Sequence, residues 1–148
     1  IKVAEDNQVY DSRGGCNAVI DTEYNSLVVG GISTVIPKDV TVIDDSAFEG
    51  RSGLAAIEIP SSVTRIRESA FKGCTGLTEI VIPEGVMYIG VEAFCGCTGL
   101  TSVKLPNSLD DCYEDIQGEG WFGGCDNITS IEWRGKTFHS YSEFEKNT

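Results

Sequence analysis

The sequence predicts a repeat solenoid, mainly β, in which each stacked turn contributes short strands and a tight helical turn. Three observations predict it. All four prolines, Pro37, Pro60, Pro83 and Pro106, lie 23 residues apart, and a fixed period in the twenties is the signature of stacked units. Apolar columns keep the same phase. Ile36, Ile59, Ile82 and Leu105 precede the prolines; Val40, Val63, Val86 and Leu109 follow them; then come Ile43, Ile66, Ile89 and Cys112, and the pairs Ala47-Phe48, Ala70-Phe71, Ala93-Phe94 and Trp121-Phe122. Glycines recur too, at Gly50, Gly73, Gly96 and Gly124, and at Gly53, Gly76 and Gly99, where Asn127 is the fourth member. One turn cannot bury its apolar side alone, so like residues stack on like.

Residues 1–148 are expected to form one domain. Residues 1–33 do not copy the repeat. Ala18–Thr22 and Ser26–Val29 flank Glu23-Tyr24-Asn25, which reads as a hairpin. Two roles are open to this segment: a cover over the open end of the stack, or an internal unit of a longer protein.

Four repeats are expected over residues 34–130. The first strand of the first repeat lies around Thr34-Val35-Ile36. In the third repeat, Leu77-x-x-Ile80-x-Ile82 alternates as a strand with one inward face. Pro83 ends that strand, having no N–H for the ladder. Gly85 to Ile89 reads as a turn and a second short strand. Glu92-Ala93-Phe94 reads as one helical turn, ended by Gly96 in a left-handed conformation. The Gly53, Gly76, Gly99, Asn127 column substitutes Asn for Gly, which predicts a second left-handed position. The fourth repeat carries a five-residue insertion within Tyr113–Gly120, acidic and glycine-containing, and expected on the surface. Residues 131–148 read as a cap. Ser130–Trp133 is a fifth strand, Arg134-Gly135-Lys136 a turn and Thr137-Phe138 a returning strand. Ser140-x-x-Glu143 has the spacing of a capping box, and Phe138, Tyr141 and Phe144 are placed to seal the last turn.

The run Ile-x-Ile-Pro-x-x-Val-x-x-Ile-x-x-x-Ala-Phe-x-Gly-Cys-x-x-Leu, over roughly residues 34 to 133, resembles the BspA-like leucine-rich repeats of bacterial surface proteins. Asn7–Arg13 with Cys16–Ile20 resembles a longer, hairpin-bearing variant repeat of that family, and Trp133–Phe138 resembles its C-terminal cap. The resemblance implies a short right-handed leucine-rich-repeat solenoid with a parallel sheet. It implies an extracellular or cell-surface location, secretion, and adhesion by binding proteins of a host. It also favours reading residues 1–33 as a unit of a longer chain.

Composition excludes several function classes. The net charge is −12, from 11 basic and 23 acidic residues, where binding to nucleic-acid phosphates needs a basic footprint. Nucleic acid and anionic membranes are therefore not expected partners. No run reaches the ~18 apolar residues of a membrane helix. The acidity is read as solubility.

Chemistry-bearing residues are few. Of six cysteines, Cys74, Cys97 and Cys125 share one column and Cys112 falls in another. Turns about 4.8 Å apart permit disulfides, but column membership favours buried thiols behaving as small hydrophobes. Cys95 holds a variable position beside Glu49, Lys72 and Gly123, and is expected to be the most exposed thiol. The one histidine, His139, sits in the cap with no nucleophile marked near it. No catalytic residue, metal site or cofactor is expected. Asp110, Asp111, Glu114, Asp115 and Glu119 could supply oxygens to calcium, but lack EF-hand order, and read as a solvated loop.

The candidate binding face lies on outward positions of the main sheet: Val35, Glu58, Val81, Lys104 and Glu132, with Glu79 and Ser102 beside them. They vary in size and charge, and no aromatic stripe suggests sugar stacking. Three function readings follow. The first is a non-enzymatic protein-binding and adhesion module whose partner is a host matrix or cell-surface glycoprotein. The second is a structural spacer within a longer repeat protein. The third is an enzyme or metal-dependent protein, for which the residues offer least.

Overall fold

In the computed structural model, residues 1–109 and 120–148 are described. The acidic insertion, its calcium reading and Cys112 lie outside these residues. The chain folds as a solenoid of stacked turns carrying two sheets. The N-terminal part gives β1 (Tyr10–Asp11), β2 (Ala18–Asp21) and β3 (Ser26–Gly30), and the repeats follow with β4 (Val42–Ile43), β5 (Arg65–Ile66), β6 (Glu79–Val81), β7 (Tyr88–Ile89) and β8 (Ser102–Lys104). β9 (Ser130–Trp133), β10 (Lys136–Phe138) and helix α1 (Tyr141–Lys146) close the chain.

The second strands of the repeats continue one sheet, β1-β2-β3-β4-β5-β7, and the first strands form the other, β10-β9-β8-β6, called the first sheet from here on. β2 and β3 pair antiparallel. β3 then starts a parallel ladder through Ser26, Val42, Arg65 and Tyr88. The hairpin is thus hydrogen-bonded directly onto the first repeat. Arg13 ties them further, bonding Asp11, Asn25 and Asp39 at once.

The columns form the core. Phe48, Phe71, Phe94 and Phe122 are fully buried, with successive ring centroids 4.9, 5.1 and 5.3 Å apart and near-parallel planes. Touching faces would lie about 3.5–4 Å apart, so the rings are offset, the arrangement their quadrupoles favour. The stack begins where Gly30 occupies the phenylalanine slot of the preceding turn. A Cβ there would lie 2.0 Å from the Phe48 ring, so only glycine lets the first ring settle. It ends under Tyr141, edge-on to Phe122 at 5.6 Å. Trp121, Trp133 and Phe138 gather around Phe144 beside it.

The turn that carries each phenylalanine is not helical. Ser46, Ser69 and Glu92 have φ of 56°, 55° and 56°, and a left-handed residue inside Glu92-Ala93-Phe94 breaks the expected helical turn. The reason lies in hydrogen bonding between turns. The N–H groups of Ser46, Phe48 and Gly50 donate to Glu68, Ala70 and Lys72 of the next repeat, while those of Ala47, Glu49 and Arg51 donate within their own turn. A helix would consume all of these donors locally. The alternation makes the turn region a third ladder along the stack, which offsets the ~1–2 kcal/mol cost of each left-handed residue. Gly50, Gly73, Gly96 and Gly124 are left-handed as expected, at 69–71°.

The second glycine column has a different cause from the one expected. Gly53, Gly76, Gly99 and Asn127 are absent from the left-handed region. A Cβ on Gly76 would lie 2.5 Å from the Ser52 carbonyl oxygen, and one on Gly99 2.4 Å from that of Thr75. At Gly76 and Gly99 only glycine fits because backbone passes against backbone, whereas a Cβ on Gly53 would meet only the Ile32 side chain, at 3.4 Å. Asn127 satisfies the same acceptor another way: its Nδ2 donates to the Thr98 carbonyl at 2.7 Å.

A further departure concerns the first strands of repeats one and two. Thr34–Ile36 and Ile57–Ile59 are assigned to no strand, and the first sheet is hydrogen-bonded only from β6 onward. From the third repeat the Thr101 and Thr129 side chains donate to the carbonyls of Thr78 and Thr101 one turn back, pinning each strand at its start. The equivalent residue in the second repeat is Ala55, followed by Ala56. Alanine has no hydroxyl to donate and is a poor strand former. Ile57 is accordingly only half-buried, where its counterparts Ile80 and Val103 are at 1% and 0% exposure.

Candidate functional site

All seven candidate residues are exposed. The register of the first sheet sorts five of them into two rows. Val81, Lys104 and Glu132 stand side by side across β6, β8 and β9, and Glu79 and Ser102 continue to Ser130 in the parallel row. Inward residues between the rows, Ile80, Val103 and Ile131, are buried, so the outward rows stand on a fixed floor. Val35 and Glu58 are not held by strand pairing. They line a cleft of about 390 Å³ between the first two repeats, with Ala56, Ile57 and Pro60. A second cleft of about 330 Å³ lies between Glu58 and Val81. The face is therefore continuous in sequence position but divided in structure: open and apolar at Val35, which is 73% exposed, ordered and charged from Val81 onward.

The charged end extends beyond the residues expected from the sequence. Arg134 and Gly135 have φ of 50° and 74°, the left-handed pair of a two-residue hairpin turn. That turn sets Lys136 opposite Trp133. The Arg134 guanidinium lies 4.4 Å from the centre of the Trp133 ring and donates to the Leu109 carbonyl at 3.1 Å. These residues, with Lys104 and Glu132, line a cleft of about 310 Å³. Column reading could not find this cleft, because Arg134 to Lys136 lie in the cap. The Trp-Arg-Gly-Lys run, read as a turn, was its one signal.

The thiol column is structural. Cys74, Cys97 and Cys125 each donate their Sγ hydrogen, at 3.1 Å, to the carbonyl of the phenylalanine one turn back: Phe48, Phe71 and Phe94. Arg51, first in the column, does the same with Nε to Gly30 at 2.9 Å. Cys16, Cys74, Cys97 and Cys125 form no disulfide. Burial pushes the Cys74 thiol up to about 11, against the opposing effect of Arg51. Hydrogen bonding with the Cys125 side chain, with burial, raises Cys97 as well. Cys74 and Cys97, buried and held protonated, are not nucleophiles at neutral pH, whereas the hydrogen bond with Cys97 shifts the Cys125 thiol downward against its burial. Cys95 is buried, at 7% exposure, contrary to expectation. A variable column shows only that no stacked side chain is required there, and burial is decided by what the neighbouring turns place around it.

His139 belongs to the cap. Its N–H donates to the Glu143 carboxylate at 2.6 Å, and the Glu143 N–H donates to Ser140 Oγ at 3.1 Å, so the expected capping box forms with its second bond displaced by one residue. Among the described residues no group of three or more His, Cys, Asp or Glu could hold a metal ion. No helix of the described residues is long and apolar enough to cross a membrane.

Stacked parallel strands, an aromatic spine and an exposed, variable outer row define a leucine-rich-repeat solenoid. The chain belongs to the family described as the BspA type Leucine rich repeat region (6 copies), which matches residues 31–147. Leucine-rich repeats in general mediate protein interactions and are not enzymes. No curated protein matches the chain. Among solved structures, it is similar to a leucine-rich repeat protein from Eubacterium ventriosum (TM-score 0.69, 24% identity, over 88% of this chain and 35% of that one). It is similar also to a leucine rich cell surface protein from Faecalibacterium prausnitzii (TM-score 0.65, 24% identity, 98% and 44%) and to the T. pallidum leucine rich repeat protein (0.61, 23%, 88% and 71%). The chain thus spans less than half the length of the first two. These likenesses are of fold.

Proposed function

We propose that this chain is a non-enzymatic protein-binding module of a bacterial cell-surface leucine-rich-repeat protein, which adheres to a host matrix or cell-surface glycoprotein through the first-sheet face. The observation that carries this reading is the pair of outward rows, Val81-Lys104-Glu132 and Glu79-Ser102-Ser130, exposed but for the half-buried Ser130 and standing on a buried floor. Side chains held in register lose little freedom on binding, and that pre-organisation favours affinity. The description of the F. prausnitzii neighbour as a cell surface protein supports the location.

The test is binding of the chain, as a soluble monomer at physiological salt, to immobilised matrix glycoproteins and a glycan panel. Saturable binding to a glycoprotein, abolished by joint substitution of Glu58, Val81 and Lys104 with serine, is the expected result. Absence of binding throughout would overturn the reading in favour of a spacer.

A further inference from the structure

We infer that the N-terminal half of the first-sheet face docks an amphipathic helix of the partner protein. Two apolar side chains one helical turn apart sit in the clefts on either side of residues 55–59, with a lysine or arginine beside Glu58 and Glu79. This rests on the protein-binding reading above and names the kind of segment the partner presents.

The backbone marks the place. β6, β8 and β9 are paired side by side, whereas no N–H or carbonyl of residues 55–59 takes part in a hydrogen bond. A cleft opens on each side of this stretch, of about 390 Å³ toward the first repeat and about 330 Å³ toward β6, and Ala56, Ile57 and Glu58 line both. Val35 and Val81, 73% and 58% exposed, stand on the far walls. Ile32, also exposed, reaches Gly53 at the start of the stretch. Covering contiguous apolar surface of this kind is favourable. A strand without pairing also opens locally at little cost, so the walls can part to admit side chains.

Spacing selects a helix. Adjacent turns are 4.9 and 5.1 Å apart at Phe48, Phe71 and Phe94, so the two clefts are one such step apart. Side chains three or four apart on a helix are about 5–6 Å apart, whereas those two apart on a strand are separated by roughly 6.6 Å. A partner's strand cannot pair with residues 55–59 either. It would need about 4.8 Å on each side, and the neighbouring turns already stand at that distance. A helix lying along the stack, across the strands, meets both clefts.

Charge then sets what flanks the apolar pair. Glu58 and Glu79 line the second cleft and no cation does, and neither carboxylate is ion-paired. Free carboxylates are common on a chain of net charge −12 and do not mark the place. They give the sign of the residue beside them, a lysine or arginine whose aliphatic stem lies on Val81.

The experiment is an amide-resolved NMR titration of the whole chain at physiological salt. The probe is a lactam-bridged helical peptide with two leucines four residues apart and lysines flanking them on the same face. Three control peptides are used: one with the leucines on opposite faces, one with glutamate for lysine, and one unbridged with a central proline. The probe should move the Val35, Ala56, Ile57 and Val81 amides saturably and slow amide exchange over residues 56–59. Each control should bind at least about tenfold more weakly, and Val35→Ser with Val81→Ser should weaken the probe about tenfold. Both valines are exposed, and the spectrum of the double variant itself reports that it is folded. Absence of saturable shifts at these amides, or unchanged affinity in the double variant, would overturn the docking site. Equal binding of the proline peptide would overturn the helix, and equal binding of the glutamate peptide the basic flank. The two readings fail separately. Glycoprotein binding that survives Val35→Ser with Val81→Ser removes the docking site and leaves the face, whereas probe binding without any glycoprotein binding does the reverse.

Discussion

The Cys97 thiol donates to the Phe71 carbonyl at 3.1 Å, across 26 residues of sequence. The same bond recurs one turn earlier and one turn later, so the cysteine column is a hydrogen-bonded ladder beside the phenylalanine stack. A carbonyl behind a buried ring has no water to accept from, and an unsatisfied buried acceptor costs about 1–3 kcal/mol. The column therefore asks for a small side chain that is apolar enough to bury and can still donate weakly.

This ladder carries a pH dependence. The Cys74 pKa is about 11 in the folded chain because burial disfavours the thiolate, against an unfolded value near 8.5. Between these values the unfolded state binds fewer protons than the folded one, so stability falls as pH rises. It is fully present below the unfolded pKa and is lost progressively up to the folded one. Urea denaturation at successive pH values should show a loss of about 2–3 kcal/mol across this window from Cys74, and a shallower loss in Cys74→Ala. Equal slopes in the two proteins would show that Cys74 does not ionise on unfolding.

Phe71 sits between two stacked rings at 4.9 and 5.1 Å and is fully buried. Phe71→Ala removes both contacts and leaves a cavity in the middle of the spine. The expected cost is about 3–5 kcal/mol, a large part of the stability of an ordinary domain, read from the midpoint of urea unfolding. A loss below about 1 kcal/mol would mean that the neighbouring turns collapse onto the gap.

The unpaired strand of the second repeat is a matter of composition. Ala55→Thr supplies the hydroxyl that Thr101 and Thr129 use in later repeats and improves strand propensity. It should stabilise the chain by about 0.5–1 kcal/mol and slow amide exchange over residues 56–59. Unchanged exchange there would place the cause of the opening elsewhere.

The 23-residue period, the buried columns and the left-handed Gly50, Gly73, Gly96 and Gly124 were readable from sequence, because each turn repeats the same local constraints and the repetition exposes them. The outward position of the seven candidate residues was readable for the same reason, since alternation along a strand is a local property. Three things were not. The pinning of strands by Thr101 and Thr129, and its failure at Ala55, depends on a hydroxyl meeting a carbonyl one turn away. The glycines at 76 and 99 answer to the carbonyls of Ser52 and Thr75, a contact between turns. The cleft of Lys104 and Lys136 forms only when the cap hairpin folds back beside β9. The sequence by itself determined the solenoid, its core and its exposed face, because periodicity fixes which side of the chain is apolar. Tertiary structure alone decided where the face opens, where it is charged and which backbone groups meet, because those depend on distances between turns that no single turn encodes.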